Sequence, residues 1–335
     1  MIGKVVKGIG GFYYVSDGKE IIQGNARGNL KRRKKDTIYV GDEVEYEIRP
    51  EDGECIITKV LPRRNILKRP PVSNLDTLVI VSSAETPEMI PLAVDKLTVY
   101  CEITGIRPIL VFTKADLASE ERMRELKNMY REVYPVYPIS SVTGEGVDDL
   151  RKAVAGQSVA LAGPSGVGKS TLLNALIADA DAETGNLSEK TGRGKHTTRH
   201  VEIFPLDHAT YVYDTPGFTS LDLPEMDPRE LRNFFPEFRE PGAHCRYGDC
   251  VHINEPACGV KEALAEGEIC RTRYDSYLKM YEEVRKWQKY HHQFYRQIFP
   301  NWERMYRKYV NSAQITSMWT LWTAPSFQTS ASEPA

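Results

Sequence analysis

The sequence predicts a multidomain α/β protein: a small N-terminal β-barrel, a mostly parallel sheet covered by helices, and a small helical unit built around cysteines and a histidine. Three observations predict it. Residues 1–65 carry short β-type runs punctuated by Gly, Asp and Asn. From about 72 to 224, apolar runs ending in polar or glycine-rich turns alternate with helix-like stretches, the pattern of a parallel sheet covered on both faces. Cys245, Cys250, His252 and Cys258 then crowd together ahead of a helical, charge-rich run from 259 to about 290.

Composition bounds the answer. The chain has 335 residues, enough for two or three domains, with 41% hydrophobic and 27% charged residues. A net charge of −2 argues against a uniformly basic nucleic-acid binder. It hides a local excess, since residues 1–70 hold 15 Lys+Arg against 10 Asp+Glu. Neither a charged leader followed by an apolar run nor a stretch of about 20 apolar residues is present. The expectation is a cytoplasmic protein with no membrane partner, acting as a monomer. In such a compartment the cysteine cluster favours metal over disulfides.

In chain order, "VGDEVEYEI" (40–48) alternates apolar and polar residues as a half-buried strand should. A five-stranded oligonucleotide-binding (OB) barrel over 1–66 fits the length. Its basic loop, Lys31, Arg32, Arg33, Lys34 and Lys35, reads equally as an RNA contact or as a solvated loop. The second domain spans 67–224, with strand-like runs "TLVIVSSA" (77–84), "PILVFTKAD" (108–116), "SVALAGPS" (158–165) and "TYVYDTPG" (210–217). Residues 225–290 form the third domain. The Ser/Thr/Pro/Ala-rich end of 291–335 reads as a partly disordered extension.

The motifs sit where such strands end. "GPSGVGKS" (163–170) follows an apolar run and opens a helical one, matching a phosphate-binding loop. Gly163, Pro164, Ser165, Gly166, Val167, Gly168, Lys169, Ser170 and Thr171 would surround phosphates with backbone N–H groups. Lys169 would reach the β- and γ-phosphates and Ser170 would ligate Mg²⁺. "DTPG" supplies Asp214 for Mg²⁺ and Gly217 for the γ-phosphate. Between them, "GRGKHTTRH" (192–200) offers Thr197 or Thr198 to complete the Mg²⁺ shell, Thr198 being favoured. Arg193, Lys195 and Arg199 read equally as ligand contacts and as a solvated loop.

"TKAD" (113–116) supplies base specificity. The Asp116 carboxylate can accept from guanine N1–H and its exocyclic amine, a donor pair that adenine lacks, and the Lys114 stem can lie along the purine. "SSVTGEG" begins with Ser140 and Ser141 and could aim an N–H at guanine O6. Thr113 stands where GTPases usually have Asn, which predicts the loss of an amide that braces the site.

The order of these pieces is base reader, O6 loop, phosphate loop, threonine loop, D-x-x-G. It resembles a circularly permuted GTPase. With the barrel ahead and "CRYGDCVHINEPACGV" behind, residues 1 to about 290 resemble the ribosome small-subunit-dependent GTPase A family. The resemblance implies a GTPase acting late in assembly of the small (30S) ribosomal subunit, with GTP, GDP and rRNA as partners. The rival reading is a nucleotide-gated rRNA-binding scaffold in which hydrolysis is incidental. An ATP-using P-loop enzyme is disfavoured by "TKAD". Permutation leaves the sheet intact, because parallel strands and crossovers survive a moved chain break. It also runs the D-x-x-G loop almost directly into the Cys/His unit.

Cys245, Cys250, His252 and Cys258 offer three thiolates and an imidazole, a closed tetrahedral set for one structural Zn²⁺ per chain. Many GTPases place Gln just after D-x-x-G to orient the attacking water; Phe218 stands here and cannot. His196 is the nearest polar candidate for that catalytic part, packing or RNA contact being its alternatives.

Overall fold

Strands β1 (Ile2–Ile9), β2 (Phe12–Ser16), β3 (Ile21–Ala26), β4 (Glu43–Ile48) and β5 (Cys55–Val60) close a five-stranded barrel in the order β1-β2-β3-β5-β4. They belong to a computed structural model that describes residues 1–27, 37–68, 71–184, 202–207, 209–214 and 223–298. The alternation read in the sequence turns Val44 and Tyr46 inward with Val5, Val15, Cys55 and Ile57. At Gly24 a Cβ would fall 1.8 Å from the Cys55 carbonyl oxygen, so only glycine permits the parallel β3–β5 pairing. The basic stretch 31–35 lies outside the described residues.

A hairpin, β6 (Ile66–Lys68) and β7 (Pro71–Ser73), leads into the second sheet. Its strands are β8 (Thr77–Ser83), β9 (Arg107–Thr113), β10 (Val136–Ile139), β11 (Ser158–Ala162), β12 (Glu202–Pro205) and β13 (Tyr211–Asp214), in the order β10-β9-β8-β11-β13-β12. All neighbours are parallel except β12 and β13. Helices α1 (Pro91–Thr104), α2 (Glu120–Tyr130), α3 (Val147–Val154) and α4 (Lys169–Thr184) follow β8, β9, β10 and β11.

Alternate residues of β8 serve opposite layers. Leu78 and Ile80 pack with Leu97 of α1 and Leu126 of α2, while Val79 and Val81 pack with Leu150 of α3 and Leu172 of α4. Burial on both faces explains the unbroken apolar run "TLVIV". Strand β12 was not foreseen; it pairs antiparallel at the sheet edge.

The barrel is fastened to the amino-terminal rim of this sheet. Lys4 Nζ donates to Ser158 Oγ at 2.6 Å and lies 4.6 Å from the Tyr211 ring centroid, where burial lowers its pKa. Asp42, fully buried, accepts from Arg63 Nε at 2.6 Å and from Ser73 Oγ at 2.6 Å.

Short 3₁₀ turns, Pro228–Phe234 and Pro236–Phe238, precede α5 (Arg239–Gly242), α6 (Gly259–Glu266) and α7 (Arg271–Ile298). The expected helical run beyond 259 is thus interrupted, because Gly267 takes a left-handed φ of +81° and ends α6. The chain divides into two compact units. Residues 1–224 and 229–280 form the first; 225–228 and the continuation of α7 from Tyr281 belong to the second.

Candidate nucleotide site and metal centre

Both nucleotide motifs leave the carboxyl ends of parallel strands, where such sheets bind ligands. After β11 the chain turns at Gly163, whose φ is +143° and where a Cβ would lie 2.1 Å from the Val81 carbonyl oxygen. A side chain there would push the loop off β8. Lys169, the first residue of α4, turns its ammonium back into the loop, donating to Gly163 O at 2.7 Å and Pro164 O at 2.6 Å. Ser165, Gly166, Ser170 and Thr171 are exposed along the rim, and Val167 is buried beneath.

The "TKAD" turn meets this loop directly. The buried Thr113 hydroxyl lies on the Val167 carbonyl, with Ser82 O 3.2 Å away. The amide is absent, as the sequence reads, and the Thr113 hydroxyl makes its own contact with the phosphate loop. Lys114, at φ +58°, places Nζ on the Thr86 carbonyl and 3.3 Å from Gly166 O. Ala115 N donates to Ile139 O at 3.2 Å, tying the turn to the end of β10, and Asp116 is exposed beyond it.

Buried Ser140 closes the next loop, its N donating to Glu145 O at 3.1 Å and its O accepting from Gly144 N at 2.9 Å; Ser141 is half-buried. Asp214 ends β13, in register just past the Ala160–Tyr213 pair beside the phosphate-loop strand. Thus 113–116, 140–146, 163–171 and Asp214 converge on one edge of the sheet. Arg193, Lys195, His196, Thr197, Thr198, Arg199, Gly217 and Phe218 lie outside the described residues.

The Cys/His centre is assembled by α5, the loop after it, and the start of α6. His252 Nδ1 lies 3.4 Å from Sγ of Cys250 and of Cys258 and 3.5 Å from Sγ of Cys245. The sulfurs of Cys245 and Cys258 are 3.8 Å apart. A tetrahedral Zn²⁺ with ordinary bond lengths would set S···N edges of about 3.5 Å and S···S edges of about 3.8 Å. These residues fit such an ion and leave no open position.

His252 has a left-handed φ of +60°, and its carbonyl accepts from Tyr274 Oη at 2.6 Å. Burial, with the Arg232 charge second, lowers the His252 pKa to about 4, so the imidazole is neutral and able to ligate. Burial pushes the Cys250 thiol up to about 12, so a metal must draw off its proton. Of the remaining cysteines, Cys55 and Cys101 are buried and Cys270 is partly so.

Sequence reading missed one buried cluster. Arg273 of α7 donates from Nη1 to Asp95 Oδ1 at 2.8 Å and Thr98 Oγ1 at 3.0 Å on α1. It grips Glu237 with Nε at 2.7 Å and Nη2 at 3.1 Å. Helix α1 follows the segment containing Thr86, so the Lys114 end of the nucleotide site and the metal unit share one helix. An arginine in a charge-rich helix gives no sign of this.

A phosphate loop joined to a guanine-type base reader that precedes it in the chain defines a circularly permuted P-loop GTPase. A family model described as RsgA GTPase matches residues 60–224, and the RsgA N-terminal domain model matches residues 2–57. The small ribosomal subunit biogenesis GTPase RsgA of Caldanaerobacter subterraneus subsp. tengcongensis is 44% identical over 290 residues, covering 86% of this chain and 97% of that protein. The protein of the same name from Agathobacter rectalis is 41% identical over 303 residues, covering 87% and 100%. Among solved structures, YjeQ from Thermotoga maritima superposes with a TM-score of 0.73 at 36% identity, over 84% of this chain and 98% of its own. YloQ, described as a circularly permuted GTPase, gives 0.72 at 34%, over 85% and 95%. The chain belongs to the RsgA GTPase family, and its activity is GTP hydrolysis.

Proposed function

We propose that this protein hydrolyses GTP as a late assembly factor of the small ribosomal subunit and that the subunit stimulates its turnover. The observation carrying this reading is the joined nucleotide site, Thr113 on Val167 and Lys114 near Gly166, in a chain whose relatives are named small ribosomal subunit biogenesis GTPases. The test is GTP turnover with and without purified small subunits. A rise of about a hundredfold, or about 2.7 kcal/mol of barrier, is the expected result. Unchanged turnover with GTP-dependent binding would favour the scaffold reading instead.

In this reading Asp116 selects guanine, the 140–141 backbone approaches O6, and residues 163–171 hold the phosphates. Ser170, Thr198 and Asp214 hold Mg²⁺, which neutralises charge developing on the phosphates. Gly217 senses the γ-phosphate. Phe218 leaves the attacking water unguided, so His196 or a ribosomal group completes the site. Residues 31–35 and the metal unit contact rRNA, with affinity falling as salt rises. Cys245, Cys250, His252 and Cys258 hold one structural Zn²⁺ per chain. The working form is a cytoplasmic monomer, with boundaries between domains at 66/67, 224/225 and 290/291.

A further inference from the structure

We infer that Arg246 and Tyr247 form a stacking platform for an unpaired RNA base, a reading that rests on the proposal that this chain binds rRNA. Among the aromatic side chains of the metal unit, four form a packed group and Tyr247 stands apart from it. Phe235, Phe238, Tyr274 and Tyr277 pack on one another, with centroid separations of 5.0 to 6.3 Å, and the two tyrosine hydroxyls are engaged by the His252 and Val251 carbonyls. Tyr247 faces outward and is 42% exposed. The Arg246 guanidinium carbon lies 5.7 Å from its ring centroid.

The backbone beneath this pair is fixed from several sides. Cys245 and Cys250 bracket it as members of the metal cluster. Arg246 N donates to Ala257 O at 3.1 Å and Cys250 N to Tyr247 O at 3.2 Å. Arg232 holds the Gly248 carbonyl at 3.0 Å and also the Cys250 carbonyl. The aromatic face and its neighbouring cation are thus presented on a rigid loop, so little ordering entropy opposes a ligand.

The chemistry favours a nucleobase over a protein. Tyr247 is the one large exposed hydrophobic residue among the described residues of 229–280, and the loop's other exposed side chains include His244 and Asp249. A protein interface would require a wider apolar centre. One π-face with a cation beside it suffices for a splayed-out base, whatever its identity.

The experiment uses the full metal-loaded chain with a non-hydrolysable GTP analogue and two probes: small ribosomal subunits and a single-stranded 12-nucleotide oligoadenylate. Tyr247→Ala should weaken binding to both about tenfold, and Tyr247→Phe should stay within about twofold of the parent. Metal content of both variants should be unchanged. Equal binding by Tyr247→Ala and the parent on both probes overturns the platform. So does a Phe variant as weak as the Ala variant, which would point to the hydroxyl. A loss on subunits with none on the oligonucleotide assigns Tyr247 to a ribosomal protein and overturns it too. If the parent ignores subunits yet shows Tyr247-dependent oligonucleotide binding, the platform stands and the assembly-factor reading falls.

Discussion

Arg273 and Asp95, 178 residues apart, meet as a buried ion pair with Nη1 2.8 Å from Oδ1, fixing α7 to α1. The guanidinium also lies within 5.0 to 5.7 Å of the ring centroids of Phe235, Tyr134 and Tyr130. It ties the helix that begins behind the nucleotide site to the segment that precedes the metal centre.

Arg273→Ala deprives the Asp95 and Glu237 carboxyls of the guanidinium they share. The expected cost is about 3–5 kcal/mol. Urea denaturation of the full chain measures it, and an unchanged midpoint would mean that the pair contributes nothing to stability.

Thr113→Val keeps the shape of the side chain but removes the hydroxyl from the Val167 carbonyl. Loss of about 1 kcal/mol predicts roughly fivefold weaker GDP binding. Thr113→Asn, which can donate to the same carbonyl, should bind nearly as the parent does. Titration with a fluorescent GDP analogue distinguishes them.

Asp116→Asn exchanges an acceptor pair for one acceptor and one donor. Affinity should move from GTP toward xanthosine triphosphate, whose extra carbonyl accepts from the new amide. Competition binding with both nucleotides, and with ATP as control, measures the change; equal ATP and GTP binding by the parent would refute the base-reading role.

Cys250→Ser should release the metal and loosen the described part of the chain from about 228 to 280, since three remaining donors cannot close the tetrahedron. Metal analysis of freshly purified, reduced parent protein should find one zinc per chain. Hydrogen exchange should show lost protection in α6. Parent protein without zinc would contradict the assignment.

Much of this was legible because the informative residues are neighbours in sequence. "GPSGVGKS" and "TKAD" each fit within one turn, and a run such as "SVALA" announces the strand that carries it. The Cys/His set spans only 245–258, so spacing alone suggested a shared ion. Contacts closed across the fold left no such trace. Thr113 could be compared only with the usual Asn, since its reach to Val167 depends on β9 and β11 flanking β8. Arg273 resembles any helical arginine until α1 is laid against it, and the short edge strand β12 lacks the apolar run that marked its neighbours.

The Lys4–Ser158 contact makes strand β11 a two-ended rod. At one end it bears the barrel, and at the other, about 13 Å away at the usual rise per residue, it opens into the phosphate loop. A bearing seated with a half-buried lysine and a fully buried aspartate resists swivelling. The barrel is thereby clamped to the sheet at the end opposite the phosphate loop, like the fixed jaw of a vice.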